Sequence, residues 1–266
     1  MKKLIQKALE ASGHELVSIE HHHKLLAREE ELGLCRARVR EYDFLLSFDP
    51  VMAGQLMSWR PHSCGQLQQD LFVLATTEFR RRGYFVEFGA ANGKHLSNTH
   101  LLEKHFDWTG ILAEPAPRWH VELAQHRTCR IDHRCVWRES GQLLAFDEVE
   151  QAELSTLAAY ASGDGHAVER RNCRRIEVQT VSLLDLLSEH GAPRDIDYLS
   201  VDTEGSELEI LTAFDFSAYR FGVITVEHNR TKARDKIKSL LEQHGYRRRM
   251  ETVSEFDDWY VLAPGA

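Results

Sequence analysis

From residue 84 to the C-terminus, short apolar runs alternate with amphipathic stretches, and this rhythm constrains the fold more than any other feature. Candidate strands are "YFVEFG", "TGILAE", a stretch near "CRIDHRCVW", "IDYLSVD" and "FGVITVEH", separated by helical segments such as "PRWHVELAQH", "SELEILTAF" and "ARDKIKSLLEQHG". A strand followed by a crossover helix returns parallel to its predecessor, so the pattern predicts an α/β fold with a mostly parallel sheet covered on both faces. The last two runs, "RRRMETV" and "DDWYVLA", have no helix between them and predict an antiparallel pair at one edge of the sheet.

Ahead of this region, "KKLIQKALEA", "HKLLAREEELGLCRARVREYDFLL" and "CGQLQQDLFVLATTEFRRRG" place apolar residues three and four apart, as helices do. Arg80, Arg81, Arg82 and Gly83 read as the end of the last of these, with cations at the negative pole and a glycine stop. The expected organisation is a helical extension over residues 1–62 and an α/β domain over 63–266. Within the latter, residues 138–182 break the rhythm with a centre rich in Gly, Ser, Asp and Arg, and a lid or substrate loop is expected there.

Composition narrows the partners. A formal charge of −8 argues against a general nucleic-acid binder, which would need a basic surface. Five cysteines with no C-x-x-C pair suggest neither a disulfide framework nor a zinc knuckle and point to a reducing, cytoplasmic setting. No uncharged stretch is long enough to span a bilayer. The long helix near residues 24–45 offers a surface for pairing with a second copy, a homodimer through the N-terminal helices.

The chemistry concentrates at "YFVEFGAANG". Glu87 stands two residues before a G-x-x-x-G turn, whereas a dinucleotide fingerprint would be G-x-G-x-x-G. A carboxylate there repels a pyrophosphate and favours a cationic ligand, and S-adenosylmethionine, with a sulfonium and an ammonium, suits it. Glu114, 27 residues further on, ends the next strand where open α/β folds bind ribose hydroxyls.

Taken together, "YFVEFGAANGKHLSNTHLLEKHFDWTGILAEP", "IDYLSVDTEGSELEIL" and "VITVEHN" resemble the FkbM family of S-adenosylmethionine-dependent methyltransferases, and the similarity runs over about residues 63–262. The resemblance implies a Rossmann-like class I methyltransferase fold, a seven-stranded sheet with an antiparallel terminal strand, and O-methylation of a hydroxyl on a sugar or sugar-containing metabolite. It also implies that Glu87, Gly89, Ala90 and Gly93 hold the methionine end of the cofactor, that Glu114 holds the ribose, and that Asp132, Cys135 and Val136 lie near the adenine. Ala91 stands where the common pattern has its middle glycine. Gln69 approaches the cofactor on the strength of the resemblance alone.

An alcohol acceptor must lose a proton during transfer. Asp202 and Glu204 follow one strand, and Glu227, His228 and Asn229 follow the next, so both sets are expected at the cofactor's edge of the sheet. Two mechanisms fit this composition. Either His228 or a carboxylate (Asp202, Glu204) is the general base, or Asp202, Glu227 and a neighbour such as His228 hold Mg²⁺ or Mn²⁺. A different class of reading is a non-catalytic cofactor-binding protein that docks its N-terminal helices in a glycan-assembly system.

Overall fold

The computed structural model describes residues 19–149, 154–161 and 168–265, apart from the side chains of residues 19–22 and 169. Contacts divide the chain into two compact units, between Phe44 and Leu45. α1 (Ile19–Leu46) is one continuous helix that makes up the described part of the first unit and ends two residues past it.

The second unit opens with α2 (Pro50–Trp59). Asp49 caps it by accepting from the backbone N–H groups of Val51 and Met52, with Pro50 at the first helical position. Trp59 closes the helix against Phe106, with ring centroids 4.7 Å apart. The next helix, α3 (Gln69–Thr76), is much shorter than the apolar spacing predicted. Glu78, Phe79 and Arg82 all take positive φ, so the chain after Thr77 is a tight irregular turn. The arginines therefore do not close a helix: Arg80 and Arg81 pair with Asp197 and Asp107. Gly83 is required for another reason, because a Cβ there would lie 2.5 Å from the Trp108 ring.

Among the described residues the main sheet has seven strands: β1 (Tyr84–Phe88), β2 (Thr109–Ala113), β3 (Arg130–Asp132), β8 (Asp195–Val201), β9 (Arg220–Glu227), β10 (Tyr246–Arg249) and β11 (Asp257–Leu262), in the spatial order β10-β11-β9-β8-β1-β2-β3. β9, β8, β1, β2 and β3 are mutually parallel. β11 is antiparallel to both neighbours, so the final strand slots in beside the edge and leaves β10 outermost.

Strand alternation sorts the side chains into two layers. Val86, Phe88, Ile111, Leu199, Val201, Ile224 and Val226 share one core layer with apolar residues of α6 (Leu183–Glu189), α7 (Glu207–Ala213) and α8 (Ala233–Gln243). Each such burial contributes about 1.5–3 kcal/mol, and a one-residue slip of β1 would replace Val86 and Phe88 with Glu87 in that layer. Register is thereby pinned.

The stretch around "IDHRCVW" forms two strands. β3 ends at Asp132, a turn follows, and β4 (Cys135–Trp137) joins a second sheet of order β4-β7-β5-β6, with β5 (Leu143–Glu148), β6 (Thr156–Leu157) and β7 (Arg174–Ser182). The inserted segment thus contributes three strands, β5, β6 and β7, to this sheet, with a small core of Ala116, Cys135, Trp137, Phe146, Leu157 and Val178. Residues 150–153 and 162–167 of it lie outside the described residues. Among those described, no helix is long and apolar enough to cross a membrane.

Candidate functional site

Register brings the acids together. Val201 of β8 pairs with Val226 of β9, so the residues that follow, Asp202 and Glu227, emerge side by side, and Asp257 of β11 stands opposite Glu227. On the other side of β8, Phe88 of β1 pairs with Ala113 of β2, which delivers Gly89 and Glu114 to the same C-terminal edge. Gly89, at φ +68°, passes so close to β8 that a Cβ would sit 2.0 Å from the Asp202 carbonyl oxygen. Only glycine fits there.

A cavity of about 320 Å³ opens at this edge. The turn after β1 supplies Phe88, Gly89 and Ala91, and the end of β2 supplies Glu114. Cys135 and Val136 of β4, with Phe146 and Leu157 of the second sheet, form an apolar wall. Asp202, Glu204, Glu227 and Asn229 face it from the ends of β8 and β9.

Glu114 is buried, and its two carboxylate oxygens accept from the backbone N–H groups of Ala91 (2.8 Å) and Ala116 (2.8 Å). Burial pushes its pKa up to about 7, against the lowering effect of those two bonds. A carboxylate has about four acceptor sites, so capacity remains for hydroxyl donors.

Asp202, Glu204 and Glu227 each bring a carboxylate oxygen within 4.8 Å of the others. Arg170 donates to Glu204 Oε2 at 2.7 Å, and Asn229 donates to Glu227 Oε2 at 2.8 Å and to Glu204 Oε2 at 3.2 Å. Burial first, then the charges of neighbouring acids (Glu204, Asp257 and Glu207 at both, with Asp202 also at Glu227), pushes the pKa of both Asp202 and Glu227 well above the usual carboxylate range, and a hydrogen bond with Glu227 partly offsets this at Asp202. Helix capping does not consume this cluster. The start of α7 is served by Glu207, whose Oε1 accepts from Thr203 N, Thr203 Oγ1 and Gly205 N.

Several expected site residues stand elsewhere. Glu87 is on the opposite face of β1 from Val86 and Phe88 and does not line the cavity. Its carboxylate accepts from Ser97 Oγ (3.0 Å), Asn98 N (2.7 Å) and Thr99 Oγ1, and Arg127 lies 3.6 Å away. The electrostatic argument for a cationic ligand at Glu87 therefore falls. Ala90 and Gly93 lie behind the turn, Gly93 against Leu123 and Arg127 of α5 (His120–His126) and the residue following it; Ala91 lines the cavity in their place.

Gln69 is also off the cavity: it accepts from Leu67 N and donates to Asp257, while Gln66 reaches the lining. Asp132 is held by Arg134 through three hydrogen bonds and by His190 at 2.9 Å, and does not join Cys135 and Val136 in the cavity lining.

His228 is the largest correction. Glu227 and His228 are neighbours on one extended chain, so they project to opposite faces. The imidazole is absent from the cavity lining, its Nδ1 accepts from Arg230 N at 2.9 Å, and its Nε2 is 3.8 Å from Asp258 Oδ1. Burial lowers its pKa. The third carboxylate of the cluster is Glu204, and its position was not legible as a ligand because it depends on a positive φ of 58° at that residue.

Two arginines of the inserted segment pair with carboxylates of this chain. Arg170 is buried on Glu204, and Arg175 pairs with Asp147.

Seven strands in this order, with one antiparallel strand beside the edge and a glycine turn after β1, define a class I methyltransferase fold. The profile described as "Methyltransferase FkbM domain" matches residues 87–248. The chain belongs to the FkbM methyltransferase family and is an S-adenosylmethionine-dependent methyltransferase.

Solved structures similar to it include methyltransferase FkbM from Methylobacillus flagellatus KT, at 12% identity and TM-score 0.41, covering 84% of this chain and 58% of that one. Precorrin-6y C5,15-methyltransferase from Geobacter metallireducens GS-15 aligns at 12% identity and TM-score 0.36, covering 72% and 85%. A sarcosine dimethylglycine methyltransferase-like protein from Galdieria sulphuraria aligns at 11% identity and TM-score 0.31, covering 69% and 63%. No curated protein matches the chain.

Proposed function

We propose that the enzyme transfers a methyl group to a hydroxyl of a sugar or sugar-containing metabolite, with the Asp202–Glu227 pair as proton acceptor. One observation carries the reading: the half-buried Asp202 and the buried Glu227, both of raised pKa, face the same cavity as Glu114 and the Gly89 turn. The cavity volume falls in the range of about 300–1,000 Å³ usual for small-molecule sites, and its donor set suits the cofactor. Glu114 would accept from the ribose hydroxyls, Cys135 and Val136 would pack against the adenine, and the backbone of Gly89 to Ala91 would hold the methionine end.

S-adenosylmethionine supplies an electrophilic methyl on sulfur. The protein's task is to align the acceptor oxygen and remove its proton as the O–C bond forms and the C–S bond breaks. A carboxylate whose pKa is raised accepts that proton better than an ordinary one. Asn229 orients Glu227 through its 2.8 Å bond, and Arg170 neutralises Glu204 so that the cluster tolerates one ionised member. Because the acceptor form is the ionised one, turnover rises with pH through the raised pKa.

Calorimetric titration with S-adenosylmethionine and S-adenosylhomocysteine, followed by methyl-donor consumption with candidate sugars, tests the proposal. Failure of both ligands to bind at millimolar concentration overturns the cofactor assignment. Binding without consumption for any hydroxyl acceptor favours the non-catalytic interaction protein instead.

A second reading is favoured by the proximity of three carboxylates. Asp202, Glu204 and Glu227 offer the hard oxygen ligands that Mg²⁺ or Mn²⁺ prefers, with Glu204 in the place expected for His228. Such an ion would lower the pKa of the acceptor hydroxyl. Activity that survives exhaustive chelation excludes it, and activity lost and then restored by either ion establishes it.

A further inference from the structure

α1 exposes apolar side chains, and most of those described fall in one regular pattern, Leu26 and Leu34 lying off it. Leu25, Leu32, Val39 and Leu46 recur every seven residues and are between 43% and 64% exposed. Three and four residues from them, on the same stripe, come Arg28, Cys35 and Tyr42, and Cys35 and Tyr42 are exposed too. The covered positions near the end of the helix, Ala37, Arg40, Glu41 and Phe44, lie on the opposite side. A helix of 28 residues is about 42 Å long, four heptads, and a helix of that length with an apolar seam left open is the form of a coiled-coil strand.

The flanking charges select the partner. With Leu25, Leu32 and Val39 as the first core position of each heptad, the g positions are Lys24, Glu31 and Arg38, and the e positions are Glu29, Arg36 and Asp43. In a parallel in-register pair each g residue meets the e residue five positions later on the other helix. Lys24 then faces Glu29 of the second copy, Glu31 faces its Arg36, and Arg38 faces its Asp43, all opposite in sign.

The antiparallel alternative at full overlap sets g against g and e against e. Lys24 would meet Arg38, Glu31 would meet Glu31, Arg36 would meet Arg36 and Glu29 would meet Asp43, all alike in sign. We propose that α1 pairs with α1 of a second copy as a parallel two-stranded coiled coil, making the enzyme a dimer whose register is set by these charges. Arg28 gives the seam one polar layer, which costs stability and fixes register. The proposal does not depend on the acceptor or the metal.

The test uses the full chain. Sedimentation at tens of micromolar should give twice the 30.6 kDa chain mass. Leu32→Lys combined with Val39→Lys should give a monomer whose S-adenosylhomocysteine binding is unchanged, which separates loss of pairing from loss of folding.

Glu31→Arg alone should raise the dimer dissociation constant at least ten-fold, and adding Arg36→Glu should restore it. Residues five apart do not meet within one helix, so the rescue reports contact between helices. Copper-phenanthroline oxidation should link two chains through Cys35 and fail in Cys35→Ser, since parallel pairing places the two thiols in one layer.

A monomeric wild type, a dimer indifferent to the lysine pair, absence of rescue by the charge swap, or a dimer that does not cross-link at Cys35 would each overturn the proposal.

Discussion

Two groups of buried carboxylates lie within one sheet and have opposite fates. Glu87, on β1, is surrounded by hydroxyl and backbone donors beside the Arg127 guanidinium, and Arg127 itself bonds Glu103, Gly93 O, Ser97 and Thr99. Burial pushes the Glu103 pKa up, yet the Arg127 charge and bond outweigh it and hold it at about 2. At the ends of β8 and β9, Asp202 and Glu227 lie among Glu204, Asp257 and Glu207, and burial first, then those charges, push both pKa values up. A buried acid whose charge is cancelled by an arginine is scaffold, whereas buried acids that repel each other are poised to move a proton.

The largest expected effect tests the second half of that contrast. Asp202→Asn or Glu227→Gln should lower turnover by about 10²–10⁴-fold, the usual worth of a general base, while S-adenosylhomocysteine affinity stays within a few-fold. Stability that falls sharply with turnover intact would reverse the roles of the two groups.

The first half predicts a folding defect. Arg127→Met leaves Glu87 and Glu103 buried without their cation and should cost about 3–5 kcal/mol in denaturant unfolding. A loss under about 1 kcal/mol would show that the network is solvated, as surface pairs are.

The pH dependence of stability sharpens the same comparison. Glu114 and Asp257 are both pushed up to about 7 by burial, so between pH 4.5 and 7 the folded chain holds protons that the unfolded chain has released. Their contribution is complete below the unfolded pKa and is lost as pH rises through 7. For Glu114 this amounts to roughly 3 kcal/mol. Glu114→Gln should flatten that decline, and a wild-type melting temperature that rises steadily from pH 4.5 to 7 in the unliganded protein would contradict it.

Smaller still is the cofactor effect. Glu114→Ala should weaken S-adenosylhomocysteine binding by about 10–100-fold, the worth of hydrogen bonds to a charged acceptor, read by calorimetry. The smallest effect is at His228, where His228→Ala should change turnover by less than about three-fold because the imidazole faces away from the cavity. A hundred-fold loss there would return the histidine to the site.

Much of the architecture could be read from the chain alone. Alternation of strand and helix announced the parallel sheet, and the missing helix before "DDWYVLA" announced the antiparallel pair. The edge of the sheet that carries the site was legible too, since Glu114, Asp202 and Glu227 all stand where strands end. The direction of each side chain was less so. Glu87 and His228 are each one residue from a cavity-lining neighbour, Phe88 and Glu227, and in an extended chain one residue is the difference between two faces. The second sheet was hidden because β5 and β7 pair antiparallel across an insertion with a polar centre.

Local pattern was sufficient for strand and helix periodicity, for the acids at strand ends and for the charge order along α1, because each is a property of neighbours in sequence. Which carboxylates gather at one point, which of them an arginine pairs with and which glycine touches Asp202 were decided only by tertiary structure. Those outcomes depend on register between strands far apart in the chain and on burial, and burial sets the energy of a charge.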